Sequence, residues 1–421
     1  MVYTKRLKAG IGAVRAALLG IGIDRQDERF ARHGEHEAAA DAPLVLVACS
    51  GGRDSMALAA LAGTVCASLG VRCGAVIVDH GMQDGSAEVA ARAADRCRGL
   101  GLGPVTVRRV QVRADGRGAE AAARDARYAA ICETARDADA AAVLLAHTKN
   151  DQAETVLIGL LRSGGVDALA GMPERFVRED VVFARPLLCM TREDTTGVCE
   201  DLGLQWWDDP TNGDGLARCH LDRSVAERRD LSEETSEQIS RLTAFARNDS
   251  VKAAFARNDG VKAAFARNDG VKASSDANLP LRSRIRHGLM PLLVQFTGSD
   301  VVSHLADGAR LMRRDKDYLD MQADRAAAQA VLDPEPEDAV RLSVAALQSE
   351  HPAIRLRVIA HALGAANVAA TATQIESIDR LIADWHGQSA VNLPRGYSAF
   401  RQKHVIRVCQ DGAHANRRRP E

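Results

Sequence analysis

The sequence predicts a doubly wound α/β fold, a parallel sheet covered by helices on both faces, followed by a helical linker and a small α+β C-terminal domain. Three observations carry that expectation. Apolar runs of strand length alternate with helix-like stretches through the first half of the chain. Runs this apolar belong to strands buried on both faces. Beyond residue 280 the pattern changes to helices and then a hairpin.

Taken in order, Leu7, Ile11, Val14 and Leu18 predict a short amphipathic helix over 5–20, followed by a charged lead-in from Asp24 to Asp41. A strand at 44–49 leads to a helix near 54–69, and a strand at 73–79 to a helix near 85–100. An alternating strand at 104–112 precedes a helix near 118–136, and a strand at 142–147 closes the series. Ligands of such sheets sit beyond the carboxyl ends of the strands. Three of those ends are polar: Ser50 to Ser55, Asp79-His80-Gly81, and His147 to Glu154. Further on, Leu305, Ala309, Met312 and Leu319 predict a long helix over 300–330. Pro352 opens a helix with Leu356, Ile359, Ala360 and Leu363 on one face. Thr373 and Glu376 read as the capping box of the next helix, with Ile378, Leu381, Ile382 and Trp385 facing inward. Val391 to Val408 reads as hairpin strands turning at Pro394-Arg395-Gly396.

Composition narrows the function classes. At 421 residues, more than one domain is expected. A formal net charge of −1 gives no global case for nucleic-acid binding, so any RNA contact must come from local basic clusters. The nine cysteines include no Cys-x-x-Cys pair, which argues against zinc ribbons, iron–sulfur sites and disulfide scaffolds and suits a reducing cytoplasm. No stretch approaches the ~20 apolar residues of a membrane span, so no membrane association is expected.

The chemistry begins at Cys49-Ser50-Gly51-Gly52-Arg53-Asp54-Ser55, between a buried strand and a helix start. Glycines there let the backbone approach a ligand, and the helix N-terminus favours anions. Ser50 and Ser55 add hydroxyls, and Asp54 puts a carboxylate where a Mg²⁺ bridging phosphates would sit. The Gly-Lys-Ser/Thr ending of kinase-type phosphate loops is absent. Asp151 and Glu154, three apart at a helix start, share one face. Two readings compete there: a functional carboxylate pair, or acidic residues that merely favour the helix dipole. Glu120, Arg124 and Arg127 fall on one helical face, which by itself is more often just solvated.

These segments occur in order with Arg185-Pro186-Leu187-Leu188, Trp207-x-Asp209-Pro210-x-Asn212, Arg282-x-Arg284-Ile285-Arg286-His287 and Met290-Pro291-Leu292-Leu293. Together they resemble the tRNA(Ile)-lysidine synthetases, within the N-type ATP pyrophosphatases of the PP-loop superfamily. The resemblance implies ligation of the side-chain amine of free L-lysine to C2 of the wobble cytidine, position 34, of tRNA(Ile) with a CAU anticodon. The cytidine is first adenylated by ATP with loss of pyrophosphate, and lysine then displaces AMP. It further implies ATP binding by Ser50, Gly51, Gly52, Arg53, Asp54, Ser55 and His80, with Mg²⁺ at Asp54. Catalysis falls to Asp54 and Asp151, lysine binding to Asp151 and Glu154, and phosphate or tRNA contact to Arg124 and Arg127. The chain then divides into an N-terminal helix and lead-in (1–40), the ATP pyrophosphatase domain (41–218), an insertion (219–279), a helical linker (280–330) and a tRNA-recognition domain (331–421). Relatives suggest a homodimer.

Two departures keep alternatives in play. Thr148 and Asn150 stand where many relatives carry a second His and a further Asp. The insertion holds a tandem ten-residue repeat starting at Ala244, Ala254 and Ala264. At 100° per residue its phenylalanines (Phe245, Phe255, Phe265) step about 80° around a helix, so no single apolar stripe forms and a surface insertion is expected. The rivals are a tRNA-thiolating pyrophosphatase, disfavoured by the missing Cys-x-x-Cys, and a non-catalytic nucleotide- or RNA-binding module.

Overall fold

The computed structural model describes residues 3–31, 37–81, 85–111, 119–163, 165–208, 280–333 and 335–410. The insertion and Asp209-Pro210-x-Asn212 lie outside the described residues, as does the side chain of Glu120. The chain divides into two compact units, Met1–Ala309 and Arg310–Glu421.

The first unit opens with helix α1 (Lys5–Gly20), capped by the Thr4 hydroxyl and burying Leu7, Val14 and Leu18. Then follow β1 (Leu44–Ala48), α2 (Arg53–Leu69), β2 (Arg72–Asp79), α3 (Ser86–Gly99), β3 (Val105–Arg109), α4 (Ala119–Asp137) and β4 (Ala140–Leu145). Helices α5 (Lys149–Arg162) and α6 (Val166–Leu169) lead to β5 (Arg175–Arg178), β6 (Val181–Ala184) and α7 (Arg192–Asp201). A helical stretch after the insertion comprises α8 (Leu281–Arg284), a π-helical segment (Ile285–Leu289) and α9 (Met290–Thr297). Helix α10 (Val301–Ala330) contains the division between the units.

The six strands run in the order β3-β2-β1-β4-β6-β5, all parallel except the edge strand β5. Each of the first four residues of β1 is buried, as a central strand covered on both faces requires. Leu44 and Leu46 pack with Tyr128, Ile131, Val143 and Phe183 on one face. Val45 and Val47 pack with α1, α2 and α3 on the other. The strand order reverses at β1 and β4, and a doubly wound sheet opens its ligand crevice at such a switch point. The segments leaving β1 and β4 are Cys49 to Asp54 and His147 to Glu154, so topology alone brings these two polar ends together.

The second unit holds β7 (Asp338–Ser343), α11 (Val344–Gln348), α12 (Pro352–Ala365), α13 (Ala372–Ala383), β8 (Val391–Leu393), β9 (Tyr397–Gln402) and β10 (Val405–Gln410). Its antiparallel sheet runs β7-β10-β9-β8. Val340, Leu342, Ile406 and Val408 pack against Val358, Ile359, Leu363, Ile378, Leu381 and Ile382. Two details depart from the sequence reading. The capping box is Thr371 with Gln374, two residues earlier than expected. Trp385 lies past the helix end at 41% exposure, with the Arg401 guanidinium 5.5 Å from its ring centre, rather than facing inward.

Candidate active site

The loop after β1 has the conformation its glycines permit. Gly51 sits at φ +78°, and a Cβ there would stand 2.9 Å from the Cβ of Ala93, so α3 closes the position to larger residues. Gly52 caps α2 with extended backbone. The two serines shape the loop from within. Ser55 donates from Oγ to the Gly52 carbonyl at 2.8 Å and accepts the Ser50 N–H at 3.2 Å. The hydroxyls of Ser50 and Ser55 lie 3.2 Å apart. Trp207, the described part of its motif, donates its N–H to the Gly51 carbonyl at 2.9 Å. Asp54 enters the first turn of α2, where its carboxylate receives the Thr195 hydroxyl and lies 3.5 Å from Arg53 Nε. Burial pushes the Asp54 carboxyl up, the Thr195 bond and Arg53 oppose it, and Asp151 adds to the rise.

Helix α5 begins at a capping box. Thr148 accepts the Asp151 N–H on its hydroxyl, and Asp151 Oδ2 accepts the Thr148 N–H at 2.8 Å and hydroxyl at 2.9 Å. The departure at Thr148 therefore does structural work as an N-cap. Asn150 has a similar explanation: its Oδ1 accepts the Arg192 N–H at 3.0 Å, tying α5 to α7. Gln152 holds the turn at Met172 through both amide atoms, accepting its N–H at 2.7 Å and donating to its carbonyl at 3.0 Å. His147 accepts from Arg185 Nε on Nδ1 at 3.3 Å, which places its own proton on Nε2. Arg185 in turn donates to the Pro173 carbonyl and stacks over Phe176. Burial pushes the His147 imidazole down to about 3, with Arg185, Arg127 and Arg282 assisting and Asp151 opposing.

The carboxylates of Asp151 and Glu154 meet a cluster of guanidiniums. Glu154 is 1% exposed. It accepts from Arg192 Nη1 at 2.8 Å and from Arg286 Nε at 2.9 Å and Nη2 at 3.2 Å, with Arg282 Nε 3.9 Å away. Asp151 accepts from Arg192 Nη2 and lies 3.5 Å from Arg286 Nη2. Burial works to raise the Asp151 carboxyl, but Arg192, His147 and the Thr148 N–H together hold it well below the usual range. Arg192 reaches Asp54 as well, at 4.0 Å. Arg282 donates to the Thr155 hydroxyl at 2.9 Å, which donates to the Asp151 carbonyl at 2.7 Å. Arg286 sits in the π-helical segment, a deformation that recurs at functional sites.

The sheet thus brings Asp54, Asp151 and Glu154 around one guanidinium. Arg192 and Arg286 both lie against the carboxylate pair. Arg192 and Thr195 fall in none of the sequence motifs, and Arg282 and Arg286 stand in a motif whose residues carry no role on sequence alone. The available signal was Thr191-x-x-Asp194 after Arg185-Pro186-Leu187-Leu188: that capping box starts α7 and puts Arg192 in its first turn.

His80 follows β2, where the Asp79 carboxylate accepts the Gly81 N–H at 2.9 Å. The His80 Nδ1 atom is buried without a hydrogen-bond partner, and burial and the charge of Arg127 both push the imidazole down. Arg124 and Arg127 reach the Tyr128 ring at 5.8 and 5.9 Å, and neither makes an ion pair among the described residues. Burial pushes the Arg127 guanidinium down, and Arg124 and Arg282 add to that against Tyr128. An anion would relieve both strains.

Comparison with known proteins identifies the family of both parts of the chain. A PP-loop domain family matches residues 25–228 and a TilS substrate binding domain family matches 342–407. The chain is 52% identical to tRNA(Ile)-lysidine synthase of Bifidobacterium longum subsp. infantis over 99% of this chain and 100% of that one. It is 45% identical to the same enzyme of Bifidobacterium animalis subsp. lactis over 99% of both chains. Against that of Salinispora tropica the identity is 37%, over 91% of this chain and 96% of the other. With both family domains in place and this identity along its whole length, the chain belongs to the tRNA(Ile)-lysidine synthase family.

Proposed function

We propose that the switch-point crevice carries both half-reactions of an ATP-dependent lysidine synthase, with Asp54 serving the first and Asp151 with Glu154 the second. In the first, the C2 oxygen of the wobble cytidine of tRNA(Ile) bonds to the α-phosphorus of ATP and pyrophosphate leaves. The loop Ser50 to Ser55 and the α2 N-terminus receive the phosphates, with Arg53 and His80 alongside. Asp54, in the first turn of α2 beside the loop, would hold a Mg²⁺ together with substrate phosphates. That ion would neutralise phosphate charge. Arg124 and Arg127 neutralise pyrophosphate or RNA phosphates, a reading supported by the absence of carboxylate partners among the described residues.

In the second half-reaction the side-chain amine of lysine bonds to C2 and AMP departs with the former C2 oxygen. Asp151 and Glu154 hold and orient the ammonium, whose nitrogen must lose a proton before it attacks C2. The observation that carries the reading is the meeting of Asp54, Asp151 and Glu154 across β1 and β4 around Arg192. An anticodon bearing CAU, free L-lysine and the C-terminal domain as an RNA-binding unit complete it. The family resemblance supports a homodimer, testable by sedimentation. The cysteines among the described residues are free, which suits a cytoplasmic setting, and no described helix is long and apolar enough to cross a membrane.

The experiment is incubation of purified protein with ATP, Mg²⁺, labelled lysine and tRNA(Ile) bearing a CAU anticodon. Label entering RNA, with one AMP per lysine, is the expected result. AMP release without lysine transfer would favour thiolation chemistry, and ATP binding without turnover would favour a non-catalytic module.

A further inference from the structure

We propose that the first turn of α7 positions the two half-sites separately: Arg192 aligns Asp151 and Glu154 for the amine, and Thr195 aligns Asp54 for ATP. This rests on the assignment of those carboxylates under Proposed function.

The geometry is asymmetric. The Arg192 guanidinium grips the two α5 carboxylates at hydrogen-bond distance, but stands 4.0 Å from Asp54, beyond a hydrogen bond. Its side chain is 14% exposed and committed to these acids, so it acts on substrate through them. Three residues on, Thr195, fully buried, gives its hydroxyl to Asp54 and to the Arg192 carbonyl, and among the described residues makes no hydrogen bond to either α5 acid. Helix α7 is held at both ends. Thr191 and Asp194 form its capping box, Asn150 takes the Arg192 N–H, and Cys199 Sγ lies 3.4 Å from the Arg53 carbonyl. The Arg6 guanidinium pairs with Asp201 through two bonds of 2.6 and 2.7 Å. A rigid turn carrying two contacts, each to a different half-site, can orient both without touching the reacting atoms.

The test measures two quantities for Arg192→Gln, Arg192→Lys, Thr195→Val and Thr195→Ser. One is tRNA-dependent pyrophosphate release without lysine; the other is the KM for lysine in the complete reaction. Loss of a hydrogen bond to a charged group predicts changes of about tenfold or more. Arg192→Gln should raise the lysine KM by that factor with pyrophosphate release little changed, and Arg192→Lys should recover part of the loss. Thr195→Val should slow pyrophosphate release by a similar factor at unchanged lysine KM, and Thr195→Ser should restore it. Should Arg192→Gln fail to fold, Arg192→Lys against wild type gives the same comparison. Equal losses in both quantities for both residues, or no loss in either, would overturn the proposal. Controls with Asp54→Ala and Glu154→Gln tell this failure apart from a failure of the carboxylate assignment, because only the latter would abolish their difference.

Discussion

Glu154 is buried against two guanidiniums, so removing its carboxylate strands positive charge inside the protein. Breaking a buried ion pair in this way costs about 3–5 kcal/mol, and Glu154→Ala should lower unfolding stability on that scale in a denaturant titration. A loss under about 1 kcal/mol would mean the guanidiniums find other partners. Gly51 is constrained for a different reason. Its positive φ and the 2.9 Å approach to Ala93 predict that Gly51→Ala reshapes the loop and suppresses pyrophosphate release, while lysine KM is spared. His147 supplies a pH dependence. Its native ring is held neutral to about 3, against an ordinary value of 6.5. The unfolded chain therefore binds the proton first as the medium is acidified. The stabilising contribution is complete above about 6.5 and is lost progressively as pH falls toward about 3. His147→Gln should flatten the stability–pH curve across that window, and an unchanged slope would refute the assignment.

Legibility differed from element to element for physical reasons. Strands β1, β2 and β4 were readable because both of their faces are buried, which leaves continuous apolar runs. Strands β5 and β6 were not. Each has four residues, β5 carries Arg175 and Arg178, and Val177 is 66% exposed on the sheet edge. Their turn uses Glu179 and Asp180 at φ +50° and +63°, where a glycine or asparagine would have announced it. Asp54, Asp151 and Glu154 were legible because they stand at strand ends. Their partner Arg192 was not, because it comes from a helix far along the chain, and sequence spacing says nothing about such a meeting. Thr191 caps that helix, and Thr191→Ala should cost about 1 kcal/mol of stability. If α7 is the positioning element, that substitution should also raise the lysine KM in steady-state kinetics.

At the scale of the whole molecule, the first unit holds the described site residues and the second a sheet-and-helix core of its own. The second is internally pinned by buried charge: Arg407 Nε lies 3.0 Å from both Asp338 oxygens, and Arg355 grips Asp379 at 2.7 and 3.1 Å. Residues that join the phosphate loop to the carboxylate pair all lie before the insertion or just after it, in α8 and the π-helical segment. Deletion of residues 222–276 should accordingly leave pyrophosphate release largely intact, and a folded deletion variant that loses tRNA binding would assign the insertion an RNA-contacting role.

The central claim is that one crevice holds two chemically distinct half-sites. The most direct measurement is pyrophosphate released per tRNA(Ile) in the absence of lysine, followed by lysine addition, for wild type, Asp54→Ala and Glu154→Gln. The account predicts that wild type does both, that Asp54→Ala releases no pyrophosphate, and that Glu154→Gln releases it but transfers little lysine. Pyrophosphate release surviving in Asp54→Ala, or lost in Glu154→Gln in step with lysine transfer while the protein stays folded, would contradict it.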